Sequence, residues 1–199
     1  MRSSRHFKII SLILILLFGS GCFAAFPAGK LKEMETFPPV PEAPINAHLN
    51  ITWNHYLYGV HKPEADQSSA DNVWKIAEKT FKESGYFEKI SPFVAHPDIK
   101  IKAHIIFKVE GSEAGVLFSA ATFGVIPTHV MHHYVMDAEV TNLKTGQSRS
   151  YHLEDSVSIY AQTILILIAP FYWPGTVGEE MLENMFKHLA IKMREEGVF

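Results

Sequence analysis

The sequence contains one cysteine, Cys22, among 199 residues. A single thiol cannot form an internal disulfide, so core packing alone must hold the fold together. The sequence also lacks the short motifs of common catalytic sites. It has no GxSxG nucleophile elbow, no HExxH zinc motif and no glycine-rich loop that opens a helix with a lysine. These absences predict a protein that is not an enzyme and that holds no metal ion.

Positive charge is scarce as well. The chain has 18 Lys and Arg against 21 Asp and Glu, a formal net charge of −3. Residues 1–21 contain three of the basic residues and no acidic residue, so the rest of the chain has 15 basic and 21 acidic residues, a net charge of −6. This negative charge opposes nonspecific binding to nucleic acid. We therefore expect no nucleic-acid partner.

The first 21 residues have the layout of a secretory signal peptide. Three basic residues precede an apolar stretch from Ile9 to Phe18. Gly19, Ser20 and Gly21 then supply the small residues that a signal peptidase needs near its cut. The apolar stretch is too short to span a bilayer, which takes roughly 20 residues. Residues 1–21 are therefore predicted to be a signal peptide.

Ser20, Gly21 and Cys22 together resemble the lipobox of bacterial lipoproteins, although Gly19 stands where that family usually has Leu. The resemblance implies that Cys22 carries a diacylglycerol and an N-acyl lipid, the only expected modification or cofactor, and becomes the first residue of the mature protein. Phe23 follows where an Asp would imply retention in the inner membrane, so the resemblance implies the periplasmic face of the outer membrane. The alternative is an ordinary cleaved signal peptide followed by an incidental cysteine.

Residues 22–47 are rich in proline and show no apolar period. This composition predicts an extended tether after the lipidated cysteine, and at about 3.1 Å per residue it would reach roughly 75 Å. The alternative is a segment that lies against the domain, with Phe26 or Phe37 docked on it. The prolines that support the tether are Pro27, Pro38, Pro39, Pro41 and Pro44.

Residues 48–199 are predicted to form a single α+β domain. Alternating or continuous apolar patterns indicate strands, and two stripes of helical period indicate helices beginning near Ser68 and Val177. Ser68 and Asp71 fit a capping box for the first helix. The order of elements predicts a two-layer sandwich, a mainly antiparallel sheet of about five to six strands with both helices on one face. The predicted strands cover residues 49–55, 86–94, 99–109, 116–123, 130–141, 149–154 and 157–169.

The element order, and a step from helix through glycine to an aromatic strand at Phe81 to Phe87, resemble the periplasmic α/β domain of several envelope lipoproteins and related proteins. Examples are the curli-secretion lipoprotein, the LpoB activator of peptidoglycan synthases and the N-terminal domain of TolB. The stretch Phe118 to Pro127 is similar to a segment of small uncharacterised bacterial lipoproteins. These resemblances imply an envelope protein and bring no catalytic residues with them.

His129, His132 and His133 are the closest group of potential metal ligands. On a strand, His129 and His133 share a face, but their Cα atoms lie about 13 Å apart at ~3.3 Å per residue, and His132 points the other way. That spacing is too wide for one metal ion, so we expect surface histidines and no metal site.

Two long runs, Gly115 to Met136 and Ser156 to Gly178, contain no Asp, Glu, Lys or Arg. The first interpretation is that they are central strands buried under the helices. The alternative is a pair of membrane-inserting hairpins in an oligomeric pore, whose strands would alternate apolar and polar residues.

Phe171, Tyr172 and Trp173 follow one another between two prolines. Three consecutive aromatic side chains cannot all face one core, so this tripeptide is a candidate interface; the alternative is a lid on the bottom of the sandwich. The sequence as a whole predicts a non-enzymatic lipoprotein, anchored in the bilayer through Cys22, that binds another envelope protein. The alternatives are an oligomeric structural or export component, and a metal-binding protein or enzyme that uses the histidines.

Overall fold

The computed structural model describes residues 23–40, 43–168 and 170–199. Over these residues the chain forms seven strands and three α-helices. The strands are β1 (Phe23–Pro27), β2 (Ile45–Leu57), β3 (Val60–His61), β4 (Phe87–Ser91), β5 (Ile99–Gly111), β6 (Thr128–Asn142) and β7 (Ser148–Ala161). The α-helices are α1 (Asp66–Glu83), α2 (Glu113–Ala121) and α3 (Pro174–Glu195), and short 3-10 helices cover Pro63–Ala65 and Thr163–Leu167.

The strands form one mixed sheet in the order β1-β7-β6-β5-β2-β3; β3 pairs with the end of β2, and β4 pairs with its beginning. The β2–β5 and β2–β4 pairs are parallel, and the other pairs are antiparallel. Parallel pairing follows from α1, which returns the chain between β2 and β5 as a crossover. The predicted α+β class is confirmed. The sheet has seven strands rather than five or six, and α2 is a helix that the sequence did not predict.

The core lies between one face of the sheet and the two long helices. In β5 every second residue from Ile99 to Val109 is buried, because successive side chains of a strand point to opposite faces. Phe81 of α1 and Phe186 of α3 are both fully buried on that face, with ring centroids 5.6 Å apart. Both long helices therefore cover the same face, as the amphipathic stripes predicted.

The predicted capping box of α1 is wrong. The helix begins at Asp66 after the turn Pro63–Ala65, and the Ser68 hydroxyl donates to the Ala65 carbonyl at 3.4 Å. Asp66 accepts hydrogen bonds from the His55 backbone N–H and from the His61 ring, each at 2.8 Å. The contact to β2 therefore fixes the start of the helix, and this long-range contact leaves no local signature in the sequence.

The extended tether is wrong for the described part of residues 22–47, and the alternative interpretation is correct. Strand β1 pairs with β7, and Ala24 and Ala25 are fully buried. Further along, Phe37 packs on Tyr86, whose hydroxyl donates to the Pro38 carbonyl at 3.1 Å. The reason is the edge of the sheet: β7 would otherwise present unpaired backbone groups, and the apolar residues before the first proline can cover them.

Two strand predictions in the uncharged runs are also wrong. Residues 116–121 belong to helix α2, and residues 122 and 123 lie in the turn after it. The N-terminus of α2 is capped by the Ser112 hydroxyl, which accepts from the Gly115 N–H at 3.0 Å. Of the predicted strand 157–169, the first part continues β7 to Ala161, residues 163–167 form a 3-10 helix, and Ala169 lies outside the described residues. A short continuous apolar run does not distinguish a strand from a helix by its period.

Candidate functional site

The face of the sheet opposite the long helices carries a row of polar side chains across four strands. The register places Thr52 of β2 beside His104 of β5, His104 beside Asp137 of β6, and Asp137 beside His152 of β7. Thr52 Oγ1 lies 2.8 Å from His104 Nδ1, and His152 Nδ1 lies 2.7 Å from Asp137 Oδ1. We call this surface the open face. It comprises the row and the same-face neighbours Asn50, Lys102, Glu139, Ser150 and Glu154, and the row lines a shallow cavity of about 590 Å³.

Several charges on the open face are paired with one another. His152 Nε2 lies 3.0 Å from Glu154, and Lys102 Nζ lies 2.9 Å from Glu139. Hydrogen bonds to Asp137 and then to Glu154 raise the pKa of His152 above its ordinary value. The face therefore offers donors, acceptors and both signs of charge to a partner, while its exposure to water weakens each individual pair.

The arrangement lacks the parts of a hydrolytic relay. Among the hydrogen bonds of the described residues, none joins His104 to a carboxylate, so Thr52 and His104 have no third group to orient them. In the same part of the chain, no group of three or more His, Cys, Asp or Glu side chains converges to hold a metal ion. The open face presents hydrogen-bonding groups and both signs of charge at its surface.

The histidines that the sequence singled out lie where the strand period places them. His129 packs on Tyr160 with ring centroids 4.6 Å apart, and His133 Nε2 lies 3.4 Å from Glu110 on the same face. His132 points to the other face, against Phe107 at 4.9 Å. Burial lowers the pKa of His132 to about 4, with His55 and His133 adding to the effect. The structure does not bring the three rings together.

One end of the sheet is uncharged and apolar. We call it the uncharged end; it comprises Phe23, residues 115–127 and residues 160–173, of which residue 169 is not described. Sixteen large hydrophobic residues are exposed in the described chain, and twelve of them lie in these segments. Phe171 is 79% exposed, Val125 73% and Ile164 71%. The predicted burial of these runs is therefore wrong for most of residues 115–127 and 160–173, whereas Val177 and the parts of β6 and β7 that lie in the core are buried.

Hydrogen bonds and register bring these segments together. Phe23, Ala161 and Thr128 form one row at the ends of β1, β7 and β6. The Thr163 N–H donates to the Gly124 carbonyl at 3.0 Å, and its hydroxyl donates to the Phe123 carbonyl at 2.7 Å. The loop after α2 and the 3-10 helix after β7 are thus one surface at the end of the sheet.

The candidate tripeptide Phe171, Tyr172 and Trp173 belongs to this end. All three side chains are exposed, which fits a surface and not a lid over the core. The Tyr172 carbonyl accepts from the Ala25 N–H at 2.8 Å, and the Tyr172 ring lies 4.9 Å from that of Phe26. The tripeptide therefore closes the free edge of β1 with its backbone and leaves its side chains outside.

Cys22 lies outside the described residues, but its neighbour Phe23 begins β1 at the uncharged end. None of the helices in the described residues has the length and apolar character needed to cross a membrane. The sequence did not reveal the open face, because the alignment of His104, Asp137 and His152 depends on the register of three strands.

No protein-family model matches this sequence, and a comparison with curated proteins gave no match. The fold is similar to that of a Xanthomonas campestris protein of family DUF330, at 10% identity and a TM-score of 0.42, covering 86% of this chain and 96% of the other. It is also similar to a PelC variant from Paraburkholderia phytofirmans solved as a dodecamer, at 10% identity and a TM-score of 0.28, covering 78% and 96%. Likenesses at this level carry no inference about function.

Proposed function

We propose that this chain is a non-enzymatic, lipid-anchored binding module at the periplasmic face of the bacterial outer membrane. The lipid is the diacylglycerol and N-acyl group on Cys22. The observation that carries the proposal is the position of β1: the residue after the cysteine is already part of the sheet. A cysteine at that point would hold the folded domain at the membrane without an intervening tether, since consecutive Cα atoms are about 3.8 Å apart.

The partner in this proposal is another protein of the envelope, bound through the open face. Both long helices cover the other face of the sheet, while residues such as Asn50, Lys102 and Glu139 remain exposed here. A surface with paired charges and many hydrogen-bonding groups suits a protein partner of complementary charge. Because the strands begin or end at the uncharged end, anchoring that end leaves the open face accessible from the side.

The anchor is tested with Cys22→Ala. We expect this substitution to abolish labelling by a fatty-acid analogue in growing cells, because it removes the acylated sulfur. Phe23→Asp is the matched variant: it keeps the label, and by the sorting pattern given above it moves the protein from the outer to the inner membrane fraction. Labelling that persists in Cys22→Ala contradicts the proposal.

The partner surface is tested by placing a photo-crosslinking amino acid at Glu139 on the open face and, as a control, at Lys75 on the exposed side of α1. We expect a discrete crosslinked species from position 139 and none from position 75. A crosslink from position 139 to a second copy of the chain, with a matching native mass, would instead favour the oligomeric structural or export component.

A further inference from the structure

We propose that the uncharged end is a membrane-docking surface whose side chains enter the headgroup zone of a phospholipid bilayer. The inference rests on the proposed function, because the acylated Cys22 would bring this end to the membrane. It goes beyond that function by assigning a second, noncovalent contact between the protein and the lipid.

The chemistry of the surface is that of an interfacial anchor. Its exposed side chains are aliphatic or aromatic, and Tyr172 and Trp173 combine an apolar ring with a polar group, as residues at the boundary between headgroups and acyl chains do. The segments 115–127 and 160–173 contain no Asp, Glu, Lys or Arg that would have to be desolvated on insertion. Apolar patches of this kind are uncommon on soluble monomers and indicate contact with a protein or a membrane.

The position of the chain start favours the membrane as the occupant. Phe23 pairs with Ala161, the last residue of β7, and the 3-10 helix that carries the exposed Ile164 begins two residues later. Acyl chains on the preceding residue would therefore enter the bilayer beside Ile164 and the Phe171–Trp173 tripeptide. A protein bound at the same end would have to share this space with the lipid anchor.

Three acidic residues border the uncharged end. Glu113 opens α2, Glu179 follows in the second turn of α3, and Glu110 ends the exposed face of β5. Attraction to anionic headgroups therefore contributes nothing, and the docking we propose is apolar. It follows that docking to zwitterionic lipid should persist in high salt, where screening removes surface electrostatics.

The test uses the full lipidated chain reconstituted into phosphatidylcholine vesicles with brominated acyl chains, which quench tryptophan fluorescence on contact. Trp173 is exposed, whereas Trp53 is buried and Trp74 packs against the core. We expect quenching in the unaltered chain at both low and high salt, and a severalfold smaller quenched fraction in Trp173→Phe. Leu143→Trp in the Trp173→Phe background places the probe at the opposite end of the sheet and should not restore quenching.

Mass spectrometry of the N-terminal residue shows whether Cys22 is acylated. This measurement distinguishes a failure of the docking inference from a failure of the proposed function. If the protein is acylated and stays with the vesicles but Trp173 is not quenched, the docking inference is wrong and the proposed anchor stands. A second copy of the chain bound over the uncharged end would give that result. Equal quenching from Leu143→Trp also overturns the docking surface. A chain without acyl groups overturns the proposed function, and the docking inference that depends on the anchor fails with it.

Discussion

The two ends of the sheet are built in opposite ways. At the uncharged end, α2, the 3-10 helix after β7 and the loops that follow each of them expose apolar side chains beside the start of β1. At the other end, which we call the charged end, the turn between β6 and β7 carries Lys144, whose amine lies 2.6 Å from Asp98. The hydrogen bond from Lys144, and then that from the Asn46 N–H, hold the pKa of Asp98 below its usual range.

This difference shows that many apolar residues of the chain lie outside the core. A hydropathy profile treats the uncharged runs and the core strands alike, since both are apolar. The sheet separates them, because β6 and β7 bury alternate residues in the core, whereas the segments before β6 and after β7 expose apolar side chains at the end of the sheet. Apolar residues kept at one end and charges kept at the other are the arrangement expected of a domain that sits against a membrane.

The largest expected effect concerns two phenylalanines. Phe186→Ala should lower the free energy of unfolding by about 3–5 kcal/mol, because the ring is fully buried in the core. Phe171→Ala should change it by less than about 0.5 kcal/mol, because the ring is exposed. Denaturant titrations with unchanged slopes measure both. If the uncharged end were folded core, the cost of the two substitutions would be similar.

The second prediction concerns β1, which ties the N-terminal segment to the sheet. Ala25→Asp should destabilise the fold by about 3 kcal/mol, the scale of an uncompensated buried charge. Ala28→Asp introduces the same group three residues later at an exposed position and should cost little. If both substitutions lower the thermal unfolding temperature by the same small amount, the N-terminal segment is an extended tether after all. The chain start would then not be held at the uncharged end.

The sequence predicted those parts of the fold that depend on local period. The alternation in β5 and the stripes of α1 and α3 each follow from one segment read by itself. It did not predict β1, because the segment is five residues long and is stabilised by pairing with residues of β7 that lie 130 to 138 positions further along the chain. The open face was missed for the same reason: His104, Asp137 and His152 are unremarkable until the register aligns them.

The third prediction, of a smaller effect, compares the side-chain hydrogen bonds that hold the loops at the two ends of the sheet. At the charged end, Asn142 accepts from the N–H groups of Lys144 and Thr145 at 2.9 and 3.0 Å and donates to the Val198 carbonyl at 2.8 Å. Asn142→Ala should therefore cost about 1–2 kcal/mol of unfolding free energy. Thr163→Val removes a single hydroxyl contact from the uncharged end and should cost less than about 1 kcal/mol. A larger loss from Thr163→Val would show that the uncharged end is the better ordered of the two.

The last prediction concerns the titration of two histidines on neighbouring strands. His132, towards the uncharged end, should titrate near pH 4 because burial disfavours its charged form, whereas His152 should titrate above its ordinary value because Asp137 and Glu154 favour it. Between about pH 6.5 and pH 4 the unfolded chain binds a proton at His132 that the folded chain does not bind. The free energy of unfolding therefore decreases as the pH falls through this range. The contribution of His152 is present below about pH 6.5 and is lost as the pH rises through its raised pKa.

Nuclear magnetic resonance of the two imidazoles measures both titrations in one sample. Asp137→Asn should bring the pKa of His152 down towards its ordinary value and leave that of His132 unchanged, because the two rings point to opposite faces of the sheet. A His132 that titrates near its ordinary value would mean that water reaches the covered face beside the uncharged end. In that case the exposed region at the uncharged end would extend along β6 as far as His132, which pairs with the buried Val157 of β7.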